Sequence, residues 1–251
     1  MGGKRMSKCK SLITDYPERG SVFASLFYGI VSFAVGPFML TFFGFGLQLD
    51  LSARIWIQFF YHLANALVVI YIFKEHLKDT FIYVQTEPRK FIARVADGVV
   101  LILMAAAVVY GIGYKLENPF VMQGVLPTKE KDLFILPSVM LAQQPIIGVL
   151  CMVLVTPFST TLLYYATAFA STCSHNPIRA YIQTVFLLVI PGIVNGLTFW
   201  PMEEELILFA AQLPIHLLAC RTYQKADSVW APIATHMVVN LIACIALLFG
   251  L

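Results

Sequence analysis

Apolar residues along this chain fall in long runs separated by short polar islands. Each run meets the length of about 20 residues that a helix needs to cross a bilayer. The pattern predicts spans over residues 22–47, 55–73, 95–114, 134–171, 181–200, 204–220 and 231–250. The expected fold class is therefore all-α: a polytopic transmembrane helical bundle of about seven spans, seven or eight, forming one membrane domain over residues 1–251.

The fourth run sets the count. At 38 residues it would be about 57 Å long as a straight helix, nearly twice the hydrocarbon thickness. It must be broken, and Pro137, the Gln143-Gln144-Pro145 stretch and Pro157 are the candidate breaks, because proline removes a backbone donor and crowds the preceding turn. Either the segment crosses twice, or a short surface helix leads into one kinked crossing. A single crossing places thirteen of the seventeen basic residues on the inner side, including Lys74, Lys78, Arg89, Lys90, Arg94, Arg179, Arg221 and Lys225. Two crossings reduce that to ten. The positive-inside rule thus favours seven spans in a multi-pass cell-membrane protein, with a cytoplasmic N-terminus and the C-terminus outside.

Composition agrees: 59% of residues are hydrophobic and only 12% charged, against about 25% charged in soluble domains. A formal charge of +3, scattered among the islands, excludes a nucleic-acid-binding face. The five cysteines, Cys9, Cys151, Cys173, Cys220 and Cys244, show no C-x-x-C spacing and mostly lie within apolar runs, so buried free thiols are expected. The N-terminal MGGKRMSKCK has no short apolar core with a cleavage site, and Met6 stands where a myristoylation motif needs Ser or Thr. Residues 74–94 read as a cytoplasmic loop with stop-transfer charges. The alternative is an interfacial segment facing anionic headgroups, since basic residues alternate there with Phe81, Ile82, Tyr83 and Phe91. Residues 115–133, with Pro119, Gly124 and Pro127, read as an irregular outer loop.

Ionisable groups inside a membrane are costly and mark candidate sites. The last span holds none with a formal charge, but His236 and Asn240 stand four apart in WAPIATHMVVNLIA, on one face of a helix. Imidazole supplies a donor and an acceptor, and the amide supplies an oxyanion donor. The alternative is a structural pair that hydrogen-bonds neighbouring helices.

SVWAPIATHMVVN resembles the H-x-x-x-N motif of the CPBP family, the CAAX-protease and bacteriocin-processing (Abi) membrane enzymes. The family's first motif, Pro-x-x-Glu-Glu-x-x-x-Arg, corresponds in spacing to VTPFSTTLLYYATAF at 155–169, and its Phe-x-x-x-His motif to VIPGIVNGLTFWP at 189–201. Pro157 matches the motif proline. Thr160 and Thr161 occupy the glutamate positions, Tyr165 the arginine position, Asn195 the phenylalanine position and Phe199 the histidine position. The resemblance implies N-terminal transmembrane helices over 1–130 and a family-like core over 131–251. It also implies an intramembrane protease ancestry in which the glutamates and histidines activate water.

With threonine at the carboxylate positions, the expected function is a catalytically impaired relative that binds a membrane peptide, a lipidated protein or another membrane-protein partner. Its surroundings would be membrane lipids, and no cofactor is expected. Two alternatives stand beside it. An active CPBP-type endopeptidase could draw its carboxylates from Glu203, Glu204 and Glu205, although acidic residues at a helix start also favour the macrodipole. A small-solute transporter or scaffold subunit is the other. His216 and His236 would lie at similar depth in antiparallel spans and are the candidates for zinc, which requires three or four ligands.

Overall fold

The computed structural model describes residues 49–116, 137–169, 176–198 and 202–249. Among them every regular element is helical. The expected span 22–47 and nearly all of the outer loop 115–133 lie outside the described residues.

Helix α1 (Leu51–Ile72) starts where the Asp50 carboxylate accepts the Ala53 N–H at 2.7 Å, meeting one of the donors that a helix N-terminus leaves free. After Phe73 the chain continues as α2 (Lys74–Thr86) and then as α3 (Pro88–Lys115), which opens on a proline. The island at 74–94 is thus a short helix and the first turns of the next one. Its periodicity was hidden because charges and apolar residues alternate in it.

The long fourth run is broken at the expected place. Helix α4 (Pro137–Gln143) ends at Gln144, and α5 (Pro145–Val149) starts on Pro145. The chain then passes through a π-helical stretch (Leu150–Val155), one α-helical turn, α6 (Thr156–Thr160), and a second π-helical stretch (Thr161–Phe169). At seven residues, α4 is about 10 Å long and too short to cross a bilayer. Helices α7 (Pro177–Thr198), α8 (Met202–Ala226) and α9 (Trp230–Phe249) complete the fold, with Asn176 capping α7 through the Arg179 N–H at 3.1 Å.

Among the described residues, four segments are long and apolar enough to cross a membrane: Leu51–Ile72, Pro88–Lys115, Pro145–Ala166 and Trp230–Phe249. Their surfaces are organised accordingly. On α3 the exposed residues Ile92, Val100, Met104 and Val108 follow the i, i+4 ridge, while Gly98 and Ile102 turn inward. Helix α9 exposes Leu241, Ile245 and Leu248 and buries Ala231, Ile233, Thr235 and His236. Continuous exposed apolar stripes of this kind suit contact with lipid chains and are uncommon on soluble monomers.

The principal core joins Val69, Phe73, Ile102, Leu162, Tyr165, Phe169, Tyr223 and Ile233. A second, around Ile55, Phe59, Met140, Ile147 and Cys151, holds α1 against α4 and α5. Two glycines permit close crossings of the kind small residues provide between membrane helices. A Cβ on Gly98 would stand 2.7 Å from Thr222 Oγ1 and 2.9 Å from Thr235 Oγ1. A Cβ on Gly148 would meet the backbone nitrogen of Leu141 at 2.8 Å and its Cα at 2.9 Å.

Backbone cannot rotate out of the way as a side chain can, so Gly148→Ala should separate α4 from α5 and destabilise the protein by about 1–3 kcal/mol. Gly111, which has nothing within 4 Å of its Cβ position, should accept alanine without loss. Thermal unfolding in detergent checks the contrast; equal midpoints for the two variants would contradict the tight α4–α5 corner.

Candidate functional site

The site is assembled from the second π-helical stretch, α8 and α9. Thr161, Leu162 and Tyr165 are fully buried, and His236 is buried beside them. Thr161 Oγ1 lies 3.5 Å from His236 Nδ1, a long contact between residues 75 apart in sequence. Tyr165 stands between two histidines: its hydroxyl is 2.6 Å from His216 Nδ1 and its ring centroid 5.6 Å from that of His236. Tyr164 adds a ring contact to His216 at 6.4 Å. The result is a group of two imidazoles and two hydroxyls, buried except at the half-buried His216.

Asn240, one turn beyond His236, does something else. Its Nδ2 donates to the main-chain carbonyl of Met152 at 2.8 Å. The reason lies in the broken helix. In the π-helical stretch the Thr156 N–H bonds to Cys151 O, five residues back. The next bond in that register would run from residue 157 to Met152 O, and Pro157 has no N–H to give. Asn240 supplies the missing donor from the neighbouring helix. Cys244, a further turn along α9, sets its Sγ 3.6 Å from Met152 Sδ.

The sequence-predicted residues therefore separate into groups. Thr161, Tyr165, His216 and His236 come together. Asn240 belongs to the same face of α9 but serves the backbone of the broken helix. Thr160 is half-buried on α6 with no polar partner among the described residues. Asn195 lies on α7, which packs against α8 and the second π-helical stretch, and its side chain is not among those described; Phe199 lies outside the described residues. Glu203, Glu204 and Glu205 occupy the first turn of α8, about 17–20 Å along the helix axis from His216.

Sequence reasoning set the two histidines at similar depth and named Tyr165 only for its motif position. It missed that one phenol contacts both rings. The signal was present in the i, i+4 spacing of Thr161 and Tyr165, which puts them on one helix face.

The arrangement offers hydrogen-bond donors and acceptors but no anion. Among the described residues no three His, Cys, Asp or Glu side chains converge as a metal site requires. The imidazole nitrogens that face inward, Nδ1 of His216 and Nδ1 of His236, are already engaged by Tyr165 and Thr161. Comparison with known proteins adds no assignment: no family model, no curated protein and no solved structure matches the chain.

The bond from Asn240 to Met152 is testable by a double-mutant cycle. Asn240→Ala should cost about 1 kcal/mol, within the range of hydrogen bonds between membrane helices. In a Pro157→Ala background that cost should shrink toward zero, because residue 157 then has an N–H to give Met152 O in the π-helical register. Reversible unfolding in mixed micelles measures both terms, and an identical cost in the two backgrounds would refute the pairing.

Proposed function

We propose that the chain is a multi-pass membrane protein of CPBP type whose site holds a membrane peptide or lipid-modified protein without cleaving it. One observation carries this reading. Position 161, where the family's first motif has a glutamate, meets the histidine of the third motif, as the spacing of the motifs requires. The residue there is threonine, and no described carboxylate lies in the cluster. Without a carboxylate to take a proton from water, the site retains recognition groups and lacks a general base of the family's kind. The position of Glu203–Glu205 at the far end of α8 weighs against their serving as replacements.

Seven crossings with the N-terminus inside form the second part of the proposal. The turn after α8 touches the α2 corner: Ser228 Oγ donates to Thr80 O at 3.2 Å, and Trp230 Nε1 to Leu77 O at 2.8 Å. Lys225 reaches Asp97 of α3 at 3.2 Å. Residues 74–94 and 221–230 thus share one end of the bundle. They fall on the same membrane side only if an even number of crossings separates them, and that condition supports one crossing for residues 134–171. The short α4 leading into the kinked helix is consistent with it.

Two measurements test these statements. A membrane-impermeant maleimide should label Arg89→Cys and Lys225→Cys, each in a background without other reactive cysteines, from the same side of oriented vesicles. Labelling from opposite sides would remove the seven-span topology. Purified protein in proteoliposomes should retain a prenylated C-terminal peptide and release no fragment from it, with His236→Ala lowering retention several-fold. Cleavage that disappears in His236→Ala would establish an active protease instead.

A further inference from the structure

Helix α2 connects two apolar segments, Leu51–Ile72 and Pro88–Lys115, and so lies where both meet one membrane surface. One face is fixed to the bundle. His76 Nε2 pairs with the Tyr223 hydroxyl at 3.2 Å, and Leu77 and Thr80 are buried beside it. Burial pushes the His76 imidazole down to about 4 against the opposing pull of Asp79, so at neutral pH this docked face carries no positive charge. The opposite face presents Lys74, Lys78, Ile82 and Gln85 at helical spacing, all exposed.

The first turns of α3 expose Arg89, Lys90, Ile92 and Arg94. Ile82 is 56% and Ile92 64% exposed. Residues 74–94 hold five basic residues and three acidic ones, and the nearby carboxylates are partly spent. Glu87 pairs with Lys90 at 2.7 Å, and Asp97 is held by Lys225 and Arg221. Lys74 sits over the Tyr71 ring at 4.8 Å. Among the described residues no carboxylate lies within ion-pair distance of Lys78, Arg89 or Arg94.

From Arg89, on the same side of the helix, the exposed ridge Ile92, Ala96, Val100, Met104 and Val108 runs on along α3, with Arg94 on its flank. A surface with a cationic end continuous with an apolar track has the shape of one lipid: phosphate at the end, acyl chain along the track. We infer that the α2–α3 corner is a binding site for an anionic phospholipid, with Lys78, Arg89 and Arg94 holding its headgroup and the α3 ridge its chain. The inference rests on the position and charge of the corner and is independent of the CPBP reading.

Trp230 reports on this corner, because its ring stacks edge-on against Phe81 of α2 at 5.3 Å. The test uses the full chain with Trp56→Phe and Trp200→Phe, reconstituted in phosphatidylcholine bilayers. Brominated acyl chains are carried either by phosphatidylglycerol or by phosphatidylcholine at the same mole fraction. The brominated anionic lipid should quench Trp230 with about fivefold or greater preference, the effect of roughly one headgroup-contacting cation. The preference should vanish in Lys78→Gln/Arg89→Gln/Arg94→Gln and survive Lys115→Gln, which removes the same kind of charge at the other end of α3.

Equal quenching by the two lipids would overturn the proposal, as would a preference that the triple variant leaves intact. Loss of the preference on adding inorganic phosphate at constant ionic strength would reassign the cations to a soluble anion and overturn the lipid site.

Discussion

A carbonyl without a donor is the constraint around which this bundle is arranged. Pro157 cannot donate to Met152 O, and in an apolar interior water does not take its place, so the unpaired group would be expensive. The Asn240 amide answers it from α9. That one bond fixes the height of α9 against the broken helix, and the placement of His236 follows, because it lies a single turn from Asn240 on the same face. The π-helical winding contributes as well. With bonds reaching five residues back, the helix is wider and its side chains turn by less per residue, which brings Thr161 and Tyr165 together toward α8 and α9.

The other end of the bundle is held by a different device. The turn after α8 places Asp227 at a φ of 53°, a left-handed conformation that aspartate tolerates better than most residues. Ser228 and Trp230 then bond to the main-chain carbonyls of Thr80 and Leu77, within α2. Each carbonyl has a second lone pair beside the one used within the helix, so the contacts fix α2 to the bundle without unwinding it. The docked face and the cationic face of α2 are two sides of a single short helix.

Between these two ends lies the buried cluster of hydroxyls and imidazoles. Its chemistry is neutral and directional. Tyr165 bonds to His216 at 2.6 Å and its ring lies against that of His236.

The helical class and the membrane-like helices were legible from the sequence because apolar run length is a local property: a segment of about 20 apolar residues needs no partner to declare itself. The break in the fourth run was legible for the same reason, since proline removes its N–H wherever the chain goes. The meeting of position 161 with His236 has no local signal, because the two lie 75 residues apart and only helix packing brings them together. Which atoms meet across helices was not legible. Tyr165 between two histidines, Asn240 on a carbonyl rather than in the cluster, and Ser228 on Thr80 each depend on the relative height and rotation of helices far apart in sequence. Those are set by close crossings at Gly98 and Gly148 and by the sum of many packing contacts. Local composition determined what each segment is, and only the tertiary structure decided which polar atoms complete one another, because hydrogen bonds are made at distances of a few ångströms that sequence spacing does not specify.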